Sequence, residues 1–169
     1  MKACGFYPDK ANRVRLRAFV LLPRYSGLRI RDAATLSRNR IQGDKLFLHT
    51  AKTGTAVYCP MPPFVIEALN AIPENTAYFS GREIQRQKPQ QEFGRKLKRL
   101  FILAGVPDGH AHRFRDTFSV GLLLPGVPTE RVSILLGRQS VRITDKHYAP
   151  WFVSVRNSWR PMFGALGSP

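Results

Sequence analysis

The residues best placed to do chemistry lie in three blocks: His112-Arg113-Phe114-Arg115-Asp116-Thr117-Phe118, Leu135-Leu136-Gly137-Arg138 and Thr144-Asp145-Lys146-His147-Tyr148-Ala149-Pro150. Upstream stand Ser26-Gly27-Leu28-Arg29-Ile30 and Ala51-Lys52-Thr53-Gly54. An arginine fork matches phosphate oxygens two at a time and stays charged at any relevant pH. An imidazole titrates near neutrality, so it can donate to an oxyanion or accept a proton. A phenol, with an ordinary pKa near ~10, becomes a nucleophile once nearby cations and a base lower the cost of ionising it. An ammonium group can protonate a departing alkoxide, which is typically worth ~10²–10⁴ in rate. If these side chains converge, they can open a phosphodiester through a covalent tyrosyl intermediate without a metal ion.

Each residue alone has a plainer reading. Arg29 could be one more surface charge, Lys52 an exposed turn residue, and Tyr148 an aromatic anchor packed beside Trp151. A lone His112 would ordinarily be a structural hydrogen-bonder. Its spacing to Arg115, three residues on, places both on one face of a helix. His147 is expected to point elsewhere and is given no catalytic role.

The composition narrows the partner. The 169 residues carry 27 Lys+Arg against 11 Asp+Glu, a formal charge of +16. Such a field attracts polyanions, nucleic acid above all. A membrane surface fits less well, because no basic amphipathic anchor stands out. RNA lacks support, since the aromatics fall on core periodicities and form no single-strand stacking signature. Cys4 and Cys59 form neither a disulfide framework nor a metal-ligand pattern and suit a reducing cytoplasm. No carboxylate cluster has metal-ligand spacing, so neither a metal nor another cofactor is expected. The apolar run Ala18 to Pro23 is too short to span a bilayer, and no signal-peptide layout is present.

The length suits one domain able to bury roughly 70% of its unfolded surface. Periodicity predicts a helix over residues 10–23 ended by Pro23, and another over 29–37. Leu46-Phe47-Leu48 and Ala56-Val57-Tyr58-Cys59 flank the Lys52 turn as a β-hairpin, and a short strand at Arg40-Ile41 completes a small antiparallel sheet. Pro62-Pro63 opens a helix through Leu69, and residues 80–90 read as a mobile basic loop. Helices follow over 91–104, 113–124 and 129–136, the last closed by Gly137, with a turn around 140–148. In the first of these, Arg95, Lys96, Lys98 and Arg99 surround an apolar face and are candidates for DNA phosphate contacts. The tail from Trp151 to Phe163 has aromatics at near-helical spacing, suited to its own core or a neighbouring subunit.

Taken in order, these motifs resemble the catalytic domain of the tyrosine recombinase (phage integrase) family over nearly the whole chain. The resemblance implies an α+β fold, mainly helical, with a small antiparallel three-stranded sheet that carries the hairpin lysine. It implies one catalytic domain over residues 1–169. Only 28 residues precede Arg29, too few for the separate N-terminal domain that most of the family uses to clamp DNA. It makes Arg29, Lys52, His112, Arg115, Arg138 and Tyr148 the catalytic set, with Asp32 orienting Arg29. The lysine turn would order on DNA.

The implied reaction is site-specific, metal-independent DNA cleavage and rejoining through a 3′-phosphotyrosyl link. Double-stranded DNA is the expected partner, with self-association as a tetramer on paired sites through the tail at 151–169. The setting would be the bacterial or phage-infected cytoplasm, at the nucleoid when bound. Two positions depart from the family pattern. Arg138 stands where a histidine is usual, which keeps a donor but not an exchangeable proton. Asp116 replaces another common histidine. Rival readings are a DNA-binding remnant weakened by Arg138 and a type IB topoisomerase-like enzyme.

Overall fold

The computed structural model describes residues 2–73, 78–79, 89–138 and 140–148. A short α1 (Lys2–Gly5) precedes α2 (Lys10–Ser26), the central helix. Leu16, Ala18, Phe19, Leu21 and Leu22 of α2 are buried, because the apolar positions recur on a helical period. Contrary to the sequence pattern, Pro23 does not end this helix, which continues to Ser26. Proline lacks only its own N–H, and the last turn closes on other bonds. The Ser26 hydroxyl donates to Leu22 O at 2.7 Å and Gly27 N–H to Pro23 O at 3.0 Å. The stop is Gly27, whose φ of 65° favours glycine.

Next come α3 (Ile30–Ala34), a 3₁₀ turn at Arg38–Arg40, and strands β1 (Ile41–Gln42), β2 (Lys45–His49) and β3 (Ala56–Pro60). The sheet is antiparallel in the order β1-β2-β3, with Leu46 opposite Cys59 and Leu48 opposite Val57. These four face the core, while Phe47 and Tyr58 pair on the outer face, as the period of two requires. Helix α4 (Pro63–Asn70) starts on a proline, and α5 (Pro89–Leu103), α6 (His112–Leu123) and α7 (Thr129–Leu135) follow. Residues 141–148, expected as a turn, form one more helix, α8.

Helix α2 packs against α3, α4 and α6, α5 lies against α3, and α7 bridges α6 and β3. The result is the expected α+β architecture, mainly helical with a three-stranded antiparallel sheet at one side. No helix among the described residues is long and apolar enough to cross a membrane. Of the basic loop expected at 80–90, residues 80–88 lie outside the described residues and 89–90 open α5; the tail at 151–169 also lies outside them.

Candidate active site

Arg29 occupies the N-cap of α3, at the mouth of that helix as the sequence pattern predicts. The backbone that aims it is pressed against α6 and the end of α7. A Cβ on Gly27 would sit 2.5 Å from Phe118 Cδ1 and 2.9 Å from Leu136 Cδ2. Only glycine fits this approach. Beside it opens a cleft of about 540 Å³ lined by Arg29, Asp32, Lys52, Ala111, His112 and Arg115. The buried Arg29 Nη1 has no hydrogen-bond partner among the described residues, an orphan donor on a residue that lines the cleft.

Arg115 is 2% exposed and spends its fork on the protein. Its Nη1 donates to Gly27 O at 2.5 Å and its Nη2 to Leu136 O at 2.7 Å. The guanidinium therefore ties the Arg29 loop to the segment leading into Arg138. Burial first, then the neighbouring Arg29 and Arg138 charges, push its pKa down to about 10, so it remains charged at neutral pH.

The hairpin is anchored on both sides. Thr50 N–H donates to Thr55 O and Gly54 N–H to Thr50 O, both at 2.9 Å. The Thr53 hydroxyl donates to Gly137 O at 3.2 Å, and Ala51 N–H donates to Asp32 Oδ1 at 2.7 Å. A Cβ on Gly137 would lie 2.8 Å from both Thr50 Cγ2 and Val57 Cγ2. The hairpin backbone is thus fixed without DNA, and Lys52 projects from it as an exposed side chain lining the cleft. Asp32 differs from expectation: its bond runs to the lysine hairpin, and no Arg29–Asp32 ion pair forms among the described residues.

Tyr148, on α8, is fully buried and its hydroxyl donates to Asp116 Oδ1 at 3.2 Å. Burial is the main cause raising its pKa, and Asp116 raises it further, while the Ser119 hydroxyl and Arg138 pull the other way. The arrangement stores a neutral phenol. The Arg138 guanidinium lies 5.6 Å from the centroid of the Tyr148 ring, and its Nη1 donates to Ile143 O at 3.0 Å. His112 Nε2 stands 3.7 Å from Asp116 Oδ1. Burial chiefly lowers the His112 pKa, aided by Arg115, His147 and Arg138 and opposed by Asp116, which favours neutral imidazole.

Contrary to expectation, His147 does not point away. Its Nε2 lies 3.5 Å from the same Asp116 oxygen, and its ring meets Tyr148 edge-on at 4.8 Å. Asp116 itself was absent from the predicted set. Its position four residues after His112, on the same helical face, was the available signal. Among the phosphate candidates, Arg95, Lys98 and Arg99 are exposed, and Arg99 also lies over the Tyr7 ring at 5.6 Å. Lys96 departs from that group. Its Nζ pairs with Glu92 at 2.6 Å and donates to Asn12 Oδ1 at 2.7 Å, so its charge serves an internal contact.

Residues 2–152 match the phage integrase family. Tyrosine recombinase XerC of Rickettsia typhi (strain ATCC VR-144 / Wilmington) is 28% identical over 152 residues, covering 85% of this chain and 50% of the relative. XerC of Rickettsia prowazekii (strain Madrid E) is 28% identical over 143 residues, covering 79% and 47%. The chain spans about half the length of these curated relatives. Among solved structures, XerH recombinase in a post-cleavage complex with difH substrate superposes with a TM-score of 0.73 at 15% identity, covering 94% of this chain and 49% of that one. XerA recombinase gives 0.67 at 20% identity, covering 78% and 51%. The fold is that of tyrosine recombinase catalytic domains. The chain belongs to the phage integrase family.

Proposed function

We propose that this chain is the catalytic part of a site-specific DNA recombinase, and that it cuts and rejoins duplex DNA through Tyr148. The observation that carries this is the cleft lined together by Arg29, Lys52, His112 and Arg115, with Tyr148 bonded to Asp116, the carboxylate next to His112. Arg29 takes a non-bridging oxygen of the scissile phosphate, and Arg115 and Arg138 add positive charge around it. Charge stabilisation and positioning dominate phosphoryl transfer, so a guanidinium cage suffices.

Tyr148 Oη attacks phosphorus in line. Its proton passes to Asp116, which already accepts its hydrogen bond, or to neighbouring neutral His112. The bond from phosphorus to the 5′ oxygen breaks, and Lys52 protonates that oxygen. The product is a 3′-phosphotyrosyl link and a free 5′ hydroxyl. The phosphodiester energy is kept in the link, so a second 5′ hydroxyl can attack and restore the tyrosine without ATP. Exposed Arg95, Lys98 and Arg99 add phosphate contacts along the duplex. Two paired DNA sites and a tetramer complete recombination.

The test uses a duplex selected by this protein from a random-sequence library and nicked beside the cleavage position so that religation is blocked. After detergent denaturation, a covalent adduct should form with wild type and vanish in Tyr148→Phe. No adduct on a duplex the protein binds selectively would overturn the reading and leave a DNA-binding protein. Relaxation of supercoiled DNA without site preference would favour a topoisomerase-like activity.

A further inference from the structure

We infer that His112, Asp116 and His147 form a binding site for a divalent transition metal of the zinc class, and that an ion bound there holds Tyr148 out of action. Each side chain offers one ligand atom, and the three atoms lie within 4.8 Å of one another. His112 and Asp116 share one face of α6, and His147 approaches from α8. Both imidazoles direct Nε2 at one carboxylate oxygen, at 3.7 Å and 3.5 Å. Tetrahedral zinc with bonds of ~2.0–2.2 Å separates its ligand atoms by about 3.3–3.6 Å. The two measured edges therefore need only a few tenths of an ångström of adjustment. The remaining edge closes by rotation of two imidazoles that are each about half exposed.

The donor set of two imidazoles and one carboxylate suits zinc, cobalt or nickel and not magnesium, which prefers all-oxygen octahedra. Three protein ligands leave a fourth position for water. The nearby Arg115 and Arg138 charges oppose a cation and weaken the site relative to one in neutral surroundings.

Coordination would have two consequences for Tyr148. It takes the Asp116 lone pair that receives the phenol proton, and it cross-links α8 to α6 through the residue next to the nucleophile. Metal binding and DNA cleavage are then antagonistic, so this step rests on the cleavage reading above while the binding itself does not.

The experiment uses tag-free full chain without DNA. Equilibrium dialysis against zinc should give one chelator-removable ion per chain. Cobalt(II) in its place should give the intense visible absorption of a tetrahedral site. His147→Ala should weaken binding at least tenfold, as removal of a ligand must, while His49→Ala, on the outer face of β2, should leave it unchanged. No retained ion, or equal affinity in His147→Ala, overturns the site. In a second arm, zinc should suppress covalent adduct formation by wild type and not by His147→Ala, each relative to its own metal-free rate. Equal suppression of both overturns the inhibitory role. Absence of any adduct without metal would fault the cleavage reading and leave the dialysis result standing.

Discussion

Arg115 should be as important to the fold as to the phosphate. Removing it in Arg115→Ala orphans the carbonyls of Gly27 and Leu136, which now accept from its fork at 2.5 Å and 2.7 Å. An unsatisfied buried acceptor costs ~1–3 kcal/mol, so the pair amounts to about 4 kcal/mol. At ~2–4 °C per kcal/mol for a chain of this size, the melting temperature should fall by about 8–16 °C. Arg115→Lys keeps the charge but cannot span both carbonyls and should lose roughly half as much. Arg29→Ala is the control. Its Nη1 has no internal partner, so stability should stay within ~0.5 kcal/mol. Urea and thermal unfolding followed by circular dichroism measure all three. If Arg115→Ala melts with wild type, or Arg29→Ala costs as much, the structural role of the fork is wrong and Arg115 is a phosphate ligand alone.

Five further outcomes are expected. Gly137→Ala forces a side chain into a φ of 58° and onto Thr50 and Val57 at 2.8 Å, so it should destabilise by about 2–4 kcal/mol in urea unfolding. Gly121→Ala, in the last turn of α6 with open space around its Cβ, should instead stabilise by ~0.5 kcal/mol. Burial raises the Cys59 thiol pKa from 9.0 to about 11, so the folded state binds this proton more tightly than the unfolded chain. The stability this contributes is present below pH 9 and lost as pH rises towards 11, by about 3 kcal/mol. Cys59→Ala should flatten that part of the stability–pH curve, and an unchanged slope would exclude the thiol as its source. Arg138→His should keep covalent adduct formation and Arg138→Ala should lower it by ~10²-fold; equal rates for wild type and the alanine variant would remove Arg138 from the cage. Lys52→Ala should slow cleavage by ~10²–10⁴ on a normal duplex. A duplex whose leaving 5′ oxygen is replaced by sulfur should restore most of that rate, because a thiolate leaves without protonation.

The elements were legible wherever local physics decides them. The alternation Leu46-Phe47-Leu48 against Val57-Tyr58-Cys59 specified a hairpin with one buried face, and the structure pairs those residues in that manner. Misreadings came where a tertiary contact overrides a local signal. Pro23 reads as a stop, yet the turn beyond it is held by Ser26 and ended by Gly27. Residues 141–148 carry no strong cap or amphipathic stripe, and their helix is fixed by burying Thr144 and Tyr148 and by the bond from Arg138 to Ile143 O.

The candidate site divides in the same way. Arg29, Lys52, His112 and Arg115 line one cleft because their motifs encode their own local geometry: a helix mouth, a hairpin turn and one helical face. What those motifs do not encode is the company each side chain keeps. Asp32 could be recognised as an acid near an arginine, but its bond to Ala51 N–H depends on where the hairpin folds back. Asp116 reads in sequence only as an acid where a histidine is common. Its oxygen is instead the point on which Tyr148, His112 and His147 converge. Two departures from the family pattern, Arg138 and Asp116, thus flank the same phenol with opposite charges and opposite effects on its ionisation: the carboxylate holds the proton on, and the guanidinium favours its release. Such compensation predicts that the two substitutions are coupled. A double-mutant cycle between Arg138→His and Asp116→Asn, read by adduct formation, should be non-additive, and simple additivity would show that they act independently.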